Sequence, residues 1–334
     1  VVVGAGVAGL ACAAEARRAG LDVVVVERAR GVGGRCATRR VDGQAVDFGL
    51  CFLHGATPEF LEALRAVPAT ARRGWPQRLV GEGPPCQPDA FLAGEERLAF
   101  AQGVSAFPKH LAEGLDVRLR REVAGLSLDG SDLHVRVAGG ESLRTPTVVL
   151  AMATEQARAL LAPPLGLHDE VRWLLGVLDL VASVPSLAVL AGYPEGTPPP
   201  PWDISYPQDS RVIALASHDS AKREAPRQLV VVFQTRPRHA RGAPGEPGST
   251  GAHQVLEEAG RLYGPWAARP AWAQAHRWDF ARVDRGNELA APVLLTLPGG
   301  VRVGVAGEVF SPGGGVEAAF LSGRALGRRV ASGA

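Results

Sequence analysis

Residues 1–35, VVVGAGVAGLACAAEARRAGLDVVVVERARGVGGR, decide the reading of the whole chain. Three valines read as the end of a buried parallel strand, whose natural start is expected a few residues before Val1. A tight turn follows, with Gly4, Gly6 and Gly9 in the spacing G-x-G-x-x-G. Ala8 to Ala19 is alanine-rich and helical, and Gly20 stands where a left-handed C-cap is wanted. Val23 to Val26 returns as a second parallel strand ending at Glu27. Each part has a job. Gly4 permits the sharp turn, Gly6 lets the backbone approach a pyrophosphate, and Gly9 lets helix and strand pack closely. The helix N-terminus offers free N–H groups to phosphates. Glu27 stands about 20 residues on, where a carboxylate grips ribose hydroxyls. Glycines also punctuate ordinary turns, but here strand, turn, helix, strand and acid fall in register, so a dinucleotide site is predicted.

The rest of the composition is ordinary. The chain has 334 residues, 46% hydrophobic and 21% charged, enough for two domains or one large α/β body. Its net charge is +2, with Lys and Arg dispersed, which argues against a nucleic-acid surface. Cys12, Cys36, Cys51 and Cys86 form no C-x-x-C pair, so a reducing compartment is expected. The longest apolar stretch, Leu174 to Tyr193, is broken by Asp179 and Pro185. No membrane span is predicted, and the expectation is a soluble cytoplasmic protein.

After Glu27, the run Arg28 to Arg40 holds three glycines and five arginines. Gly33 and Gly34 would let the backbone approach a ligand, and the Arg35 guanidinium suits phosphate oxygens. A G-x-G-x-x-G turn, a strand-end Glu and then V-G-G-R resembles the FAD-binding signature of the flavin amine oxidase superfamily. Val46 to Gly49 (VDFG) further resembles the renalase branch, where D-x-G lies at the flavin edge. The resemblance breaks just afterwards. Leu50, Cys51 and Phe52 stand where renalase-like proteins read A-Q-Y, followed by Leu53, His54 and Gly55. Cys36 and Cys51 fall near the cofactor in this motif map, where covalent attachment is conceivable but a small buried cysteine is the common case.

Further along, Leu61 to Ala66 reads as a short helix and Gly81 to Pro88 as a Gly/Pro loop. Gly103 to Leu115 resembles a family helix, with Lys109 read as a surface residue. Turns at Asp129-Gly130 and Gly139-Gly140 divide the stretch that follows into a three-stranded meander. The resemblance implies that the Val123 backbone, in E-V-A-G-L, pairs with the adenine edge. Thr147 to Met152 should return to the parallel sheet. From Thr154 to Arg285, helices at Glu155 to Leu161 and His168 to Leu175 precede strands at Leu187 to Leu190, Arg211 to Ser217 and Leu229 to Thr235. Pro237 to Gly251 reads as a loop without periodicity. Trp202, Ser217 to Arg223 (SHDSAKR) and His276 to Val283 (HRWDFARV) resemble renalase-like positions. Aromatics with arginines there suit a planar, anionic substrate, and equally suit plain core packing. Val301 to Ala306 is a buried strand ending in Gly307 and Glu308, before a helix started by Gly313 to Gly315. The resemblance places Glu308, one methylene longer than the usual Asp, on the ribityl and pyrophosphate region. It also aims the helix N-terminus at Gly315 and Val316 toward the flavin, which would stabilise the reduced anion.

The expected fold is α/β: a Rossmann-like FAD-binding domain with a parallel sheet and β-meander, plus a substrate domain of antiparallel sheet and helices. The FAD domain is expected to comprise 1–75, 116–160 and 286–334, and the substrate domain 76–115 and 161–285. The resemblance implies an FAD-dependent oxidoreductase: a renalase-like oxidase taking a hydride from a dihydronicotinamide-type molecule onto flavin N5 and reducing O2 to hydrogen peroxide. An amine or amino-acid oxidase of the same fold is the alternative, although the sequence shows no paired aromatics to cage an amine. A non-catalytic flavin-carrying protein is the alternative of another class. No metal site is read. His54, Trp202 and His218 are the weak catalytic candidates, and His54, His218 and His276 are all more often structural than chemical.

Overall fold

The computed structural model describes residues 1–81, 95–242, 250–283 and 288–333. Cys86 and most of the expected 81–88 loop lie outside the described residues. The chain forms two compact units: Val1–Gly34 with Phe107–Ser183 and Val283–Ala334, and Arg35–Ala106 with Val184–Arg282. Compactness thus cuts the chain differently from the expected domains. Residues 35–75 pack with the second unit, while 107–115 and 161–183 pack with the first.

The first unit is built on a six-stranded sheet in the order Val293–Thr296, Arg302–Val305, Thr147–Leu150, Val2–Val3, Val24–Glu27 and Asp116–Leu119. All neighbours are parallel except Val293–Thr296, which runs against Arg302–Val305. Val2 is in register with both Val25 and Val149. The central strands Val2–Val3 and Val24–Glu27 read as runs of valine because both their faces are covered, as parallel strands require. Helices Val7–Arg18 and Gly315–Ser332 pack together on the sheet, and their closeness depends on glycine. A Cβ on Gly323 would stand 2.2 Å from the Ala8 carbonyl oxygen, and one on Gly327 2.5 Å from that of Cys12. The meander Val123–Asp129, Asp132–Val137 and Ser142–Thr145 forms as expected, and helices Thr154–Leu165 and Asp169–Asp179 make a hairpin beside it.

The second unit carries a sheet in the order Trp272–Val283, Ser183–Gly192, Val230–Thr235, Ile213–His218, Ile204–Tyr206 and Leu79–Gly81. Its paired central strands are antiparallel, but Leu79–Gly81 joins Ile204–Tyr206 in parallel. Val255 and Ala259 of helix Thr250–Tyr263 share one core with the sheet residues Val189, Val231 and Phe233. A hairpin, Thr38–Val41 with Gln44–Asp47, and a small sheet of Leu53–Gly55, Glu96–Phe100 and Ala71–Arg73 complete it.

Two local expectations are corrected. The helix expected over 103–115 is only Ala106–Leu111. Gly103 (φ 102°) and Gly114 (φ 74°) take left-handed conformations that interrupt a helix at either side. The stretch read as a loop over 237–251 begins with helix Pro237–Gly242 and runs into helix Thr250–Tyr263 at its end; 243–249 lie outside the described residues.

Candidate functional site

Two constellations stand out, one in each unit. In the first unit, both glycine motifs come together as a single patch of bare backbone. Gly4 (φ 104°) makes the turn, and a Cβ there would meet the Ala151 carbonyl oxygen at 2.4 Å. A Cβ on Gly9 would stand 2.0 Å from the Gly4 oxygen, so helix and strand touch through it. Gly6 differs: its added Cβ would meet nothing within 4 Å. That open space is what an incoming phosphate group needs. Gly33 (φ 115°) bridges back to Gly6, with its N–H on the Ala5 carbonyl at 2.8 Å, and Gly34 (φ 54°) lies against the Gly6 Cα. The Glu27 carboxylate accepts from the Ala5 and Ala29 N–H groups, both at 2.8 Å. A carboxylate has about four acceptor positions, so it retains capacity for ribose hydroxyls. Arg28 beside it is exposed.

The same unit supplies the late elements. The Ser322 hydroxyl bridges the Gly307 N–H (3.2 Å) and carbonyl (2.7 Å), clamping the end of strand Arg302–Val305 to the last helix. Glu308 opens a short 3-10 turn there. Gly313, Gly314 and Gly315 all have positive φ, a run that only glycine adopts without strain, and Val316 is buried just inside the helix. Val123 starts the meander, with a bulge between it and Gly125. The residues thus fit a dinucleotide: open space over Gly6, a carboxylate at the strand end, and helix N-termini reached through glycine. Lys109 is exposed, as expected of a surface lysine.

Arg35 belongs to the second unit, where its carbonyl accepts the Leu50 N–H at 2.9 Å and its guanidinium reaches the Ala281 carbonyl at 3.4 Å. The segment it holds, 47–51, is gripped from several sides. Trp278 Nε1 donates to the Phe48 carbonyl (3.0 Å), Gln234 Nε2 to that of Gly49 (2.5 Å), and Lys222 Nζ to that of Cys51 (2.8 Å). Beneath it lies a buried charge quartet. Lys222 and Arg223 each contact both Asp47 and Asp219 at 2.7–3.0 Å, and all four side chains are within 5% of complete burial. Asp47 also accepts from the Thr38 hydroxyl and the Val104 N–H. Burial alone would raise the Asp47 carboxyl. The charges of Lys222 and Arg223 outweigh it and hold the group below the usual carboxylate range.

Next to the quartet stands an aromatic wall. Phe48 stacks on Trp278 (centroids 5.5 Å apart), His276 meets Trp278 edge-on at 4.4 Å and Phe48 at 5.0 Å, and the Arg39 guanidinium lies 4.7 Å over the Phe48 ring. These side chains are half-buried. Burial and then the Arg39 charge lower the His276 pKa, so its imidazole is neutral near pH 7. The sequence singles out the segments 46–49, 217–223 and 276–283 that carry these features, but not their pairing. The spacing Asp219, Lys222, Arg223 hinted at an ionic cluster, but nothing local pairs it with Asp47, nor Phe48 with Trp278.

Of the three weak catalytic candidates, Trp202 and His218 are neighbours, the His218 imidazole bonding to the Trp202 backbone. Trp202 is buried against Tyr263 in the core between sheet and helix. His218 is buried, and its imidazole is pushed down chiefly by burial. His54 pairs with Glu95 at 3.1 Å. Cys36 and Cys51 are buried, and burial pushes the Cys51 thiol up to about 11, away from the reactive thiolate. Among the described residues, no group of three or more His, Cys, Asp or Glu could hold a metal ion. Among them, too, no helix is long and apolar enough to cross a membrane.

Known proteins fit this geometry. A family model described as flavin containing amine oxidoreductase matches residues 87–331, and one for the NAD(P)-binding Rossmann-like domain matches residues 2–67. The zeta-carotene-forming phytoene desaturase of Myxococcus xanthus is 50% identical over 68 residues, covering 20% of this chain and only 13% of that protein. Cyclohexylamine oxidase from Brevibacterium oxydans IH-35A superposes with a TM-score of 0.73 at 15% identity, over 99% of this chain and 98% of that one. A putative protoporphyrinogen oxidase from Exiguobacterium sp. 255-15 gives 0.72 at 13% identity with the same coverage. Putrescine oxidase bound to putrescine gives 0.67 at 15% identity, again over 99% and 98%. At these identities the structural likeness is one of fold.

Proposed function

The chain belongs to the flavin containing amine oxidoreductase family and uses FAD, and from that premise we propose that it is a renalase-like oxidase. Its substrate would be a reduced, planar heterocycle of the dihydronicotinamide type, with O2 as electron acceptor. FAD, when bound, supplies the hydride acceptor and the route for electrons to oxygen. The first unit's cradle of Gly4, Gly6, Gly9, Glu27, Gly33, Gly34, Val123, Gly307, Glu308, Gly315 and Val316 would hold it, with Arg28 toward its phosphates.

The observation that carries the substrate class is the wall of Arg39, Phe48, His276 and Trp278. Flat aromatic faces beside a guanidinium suit a flat ring bearing anionic groups. Hydride loss from a dihydronicotinamide needs no strong base, and Asp47 and Asp219 are already engaged by Lys222 and Arg223. The departure at Leu50, Cys51 and Phe52 weighs less than the sequence suggests. Cys51 and Phe52 turn into the core, leaving only Leu50 half-exposed.

One observation favours the second reading, an amine or amino-acid oxidase. The Phe48–Trp278 pair supplies the stacked aromatics the sequence did not show, and neutral His276, edge-on to both rings, could take a proton from an ammonium group. Anaerobic stopped-flow separates the readings. Bleaching of the flavin's visible absorbance by a mixture of dihydronicotinamide isomers, with peroxide on admitting air, is the expected result. Bleaching by primary amines alone moves the protein to the second reading. No bleaching by either leaves a flavin carrier without turnover.

A further inference from the structure

The helical hairpin of the first unit presents an apolar face to solvent. On helix Asp169–Asp179 and its C-cap, Trp173 is 57% and Leu180 69% exposed, and Leu167 in the connecting turn is 87% exposed. Ala159, Ala162 and Pro163 of the neighbouring helix are exposed as well. Large side chains left in water this way mark an interaction surface. Gly176 lies mid-helix, and a Cβ there would meet nothing within 4 Å. An exposed mid-helix glycine costs about 1 kcal/mol relative to alanine, and no close contact among the described residues calls for it.

We propose that this face is a two-fold interface with a second copy of the chain. The pattern is self-complementary. Trp173 and Leu180 lie two turns apart on one stripe, and Arg172 and Asp179 two turns apart on its flank. A two-fold axis at Gly176, with the helices antiparallel, sets Trp173 against Leu180 of the second copy. The same axis sets Arg172 against Asp179 of the second copy. Each match is within one residue's rise, about 1.5 Å, and Gly176 lies where the helices cross closest. Arg172 and Asp179 now hold only exposed partners, Asp169 and Arg158, which can be shared across an interface at little cost. The mixed charges of the rim also fit a like copy better than an anionic bilayer. Two helices of about three turns make a contact near the ~1,000 Å² lower bound for specific interfaces. The association is therefore concentration-dependent.

Sedimentation velocity on the FAD-loaded protein over a wide concentration range tests this. The wild type should pass from monomer to dimer, and W173E should weaken association by about 30-fold or more, as expected of a central hot spot. W173E should keep its full flavin absorbance. R172D and D179R should each be monomeric alone and form a mixed dimer when combined, since only the mixture restores both charge contacts. A wild type that stays monomeric, or a W173E dimer of unchanged strength, overturns the proposal. So does a mixture of R172D and D179R that fails to associate. Binding of the wild type to neutral phosphatidylcholine vesicles, lost in W173E and without dimerisation, would overturn it in favour of a lipid surface.

Discussion

Lys222 and Asp47 form an ion pair, Nζ to Oδ2 2.7 Å, with both side chains completely excluded from water. Taking charges out of water is expensive, and apolar packing often stabilises as well, so the pair is poor evidence for stability alone. Its geometry suggests specificity. Lys222 also donates to the Cys51 carbonyl, so the pair fixes both ends of the segment 47–51.

Removing one partner should therefore be costly. D47A leaves Lys222 and Arg223 sharing Asp219 alone, and we expect a loss of about 3–5 kcal/mol in urea unfolding. A loss under about 1 kcal/mol would mean that the remaining charges regroup or admit water.

Stability should fall with acid in two stages. Burial holds the folded His218 pKa below its ordinary value, against the pull of Asp203. The unfolded chain binds that proton first, near pH 6.5, so stability declines as pH drops below this point. Asp47 has a depressed folded pKa, so its contribution is present above about pH 4 and is lost as pH falls through the folded value. Thermal melts should show a gentle decline beginning below about pH 6.5 and a steep one below about 4. H218Q should flatten the first stage and leave the second. An unchanged first stage would assign it to other histidines, such as His239 or His276, whose pKa values burial also lowers.

The two glycines of the first turn should separate binding from folding. Gly6 has an extended backbone (φ −73°, ψ 176°) and open space, so G6A should fold with an unchanged apoprotein melting temperature. Its FAD affinity should fall about tenfold or more, some 1.4 kcal/mol, because the new methyl occupies the phosphate approach. G9A drives a Cβ into the Gly4 carbonyl and should destabilise the apoprotein by roughly 1–3 kcal/mol. Equal effects of the two on melting would refute the assignment of Gly6.

How much of this was legible follows from distance along the chain. Strand, turn, helix and strand over residues 2–27 could be read because each glycine answers a local steric demand. The meander could be read because Asp129-Gly130 and Gly139-Gly140 spell its turns. The charge quartet could not. Asp47 is a surface residue type by composition, and its partners at 219–223 are brought to it only by tertiary packing. The aromatic wall joins Phe48 to His276 and Trp278 in the same way. Strands of three residues such as Ala71–Arg73 are too short to show an alternation. The helix expected over 103–115 is shorter in the structure because Gly103 and Gly114 take positive φ on either side of Ala106–Leu111.

The aromatic wall makes its own prediction. W278A removes the stack on Phe48 and the donor to the Phe48 carbonyl. Steady-state kinetics should show KM rising about tenfold or more, with a smaller change in kcat, as for loss of ground-state binding. A kcat loss with unchanged KM would place Trp278 in the chemical step.

The interlocked helices Val7–Arg18 and Gly315–Ser332 impose an order on synthesis. The glycine turn leaves the ribosome long before residues 315–332, so the surface that Gly323 and Gly327 press against Ala8 and Cys12 stays bare until that later helix emerges. All of the second unit is translated in between, and chains grow at only about 5–20 residues per second. For that interval the nascent helix is apolar and uncovered, a natural target for chaperones. A chain cut short before residue 315 has a founding helix that never finds its mate, so acquiring the yellow cofactor would report that translation ran through Ser332.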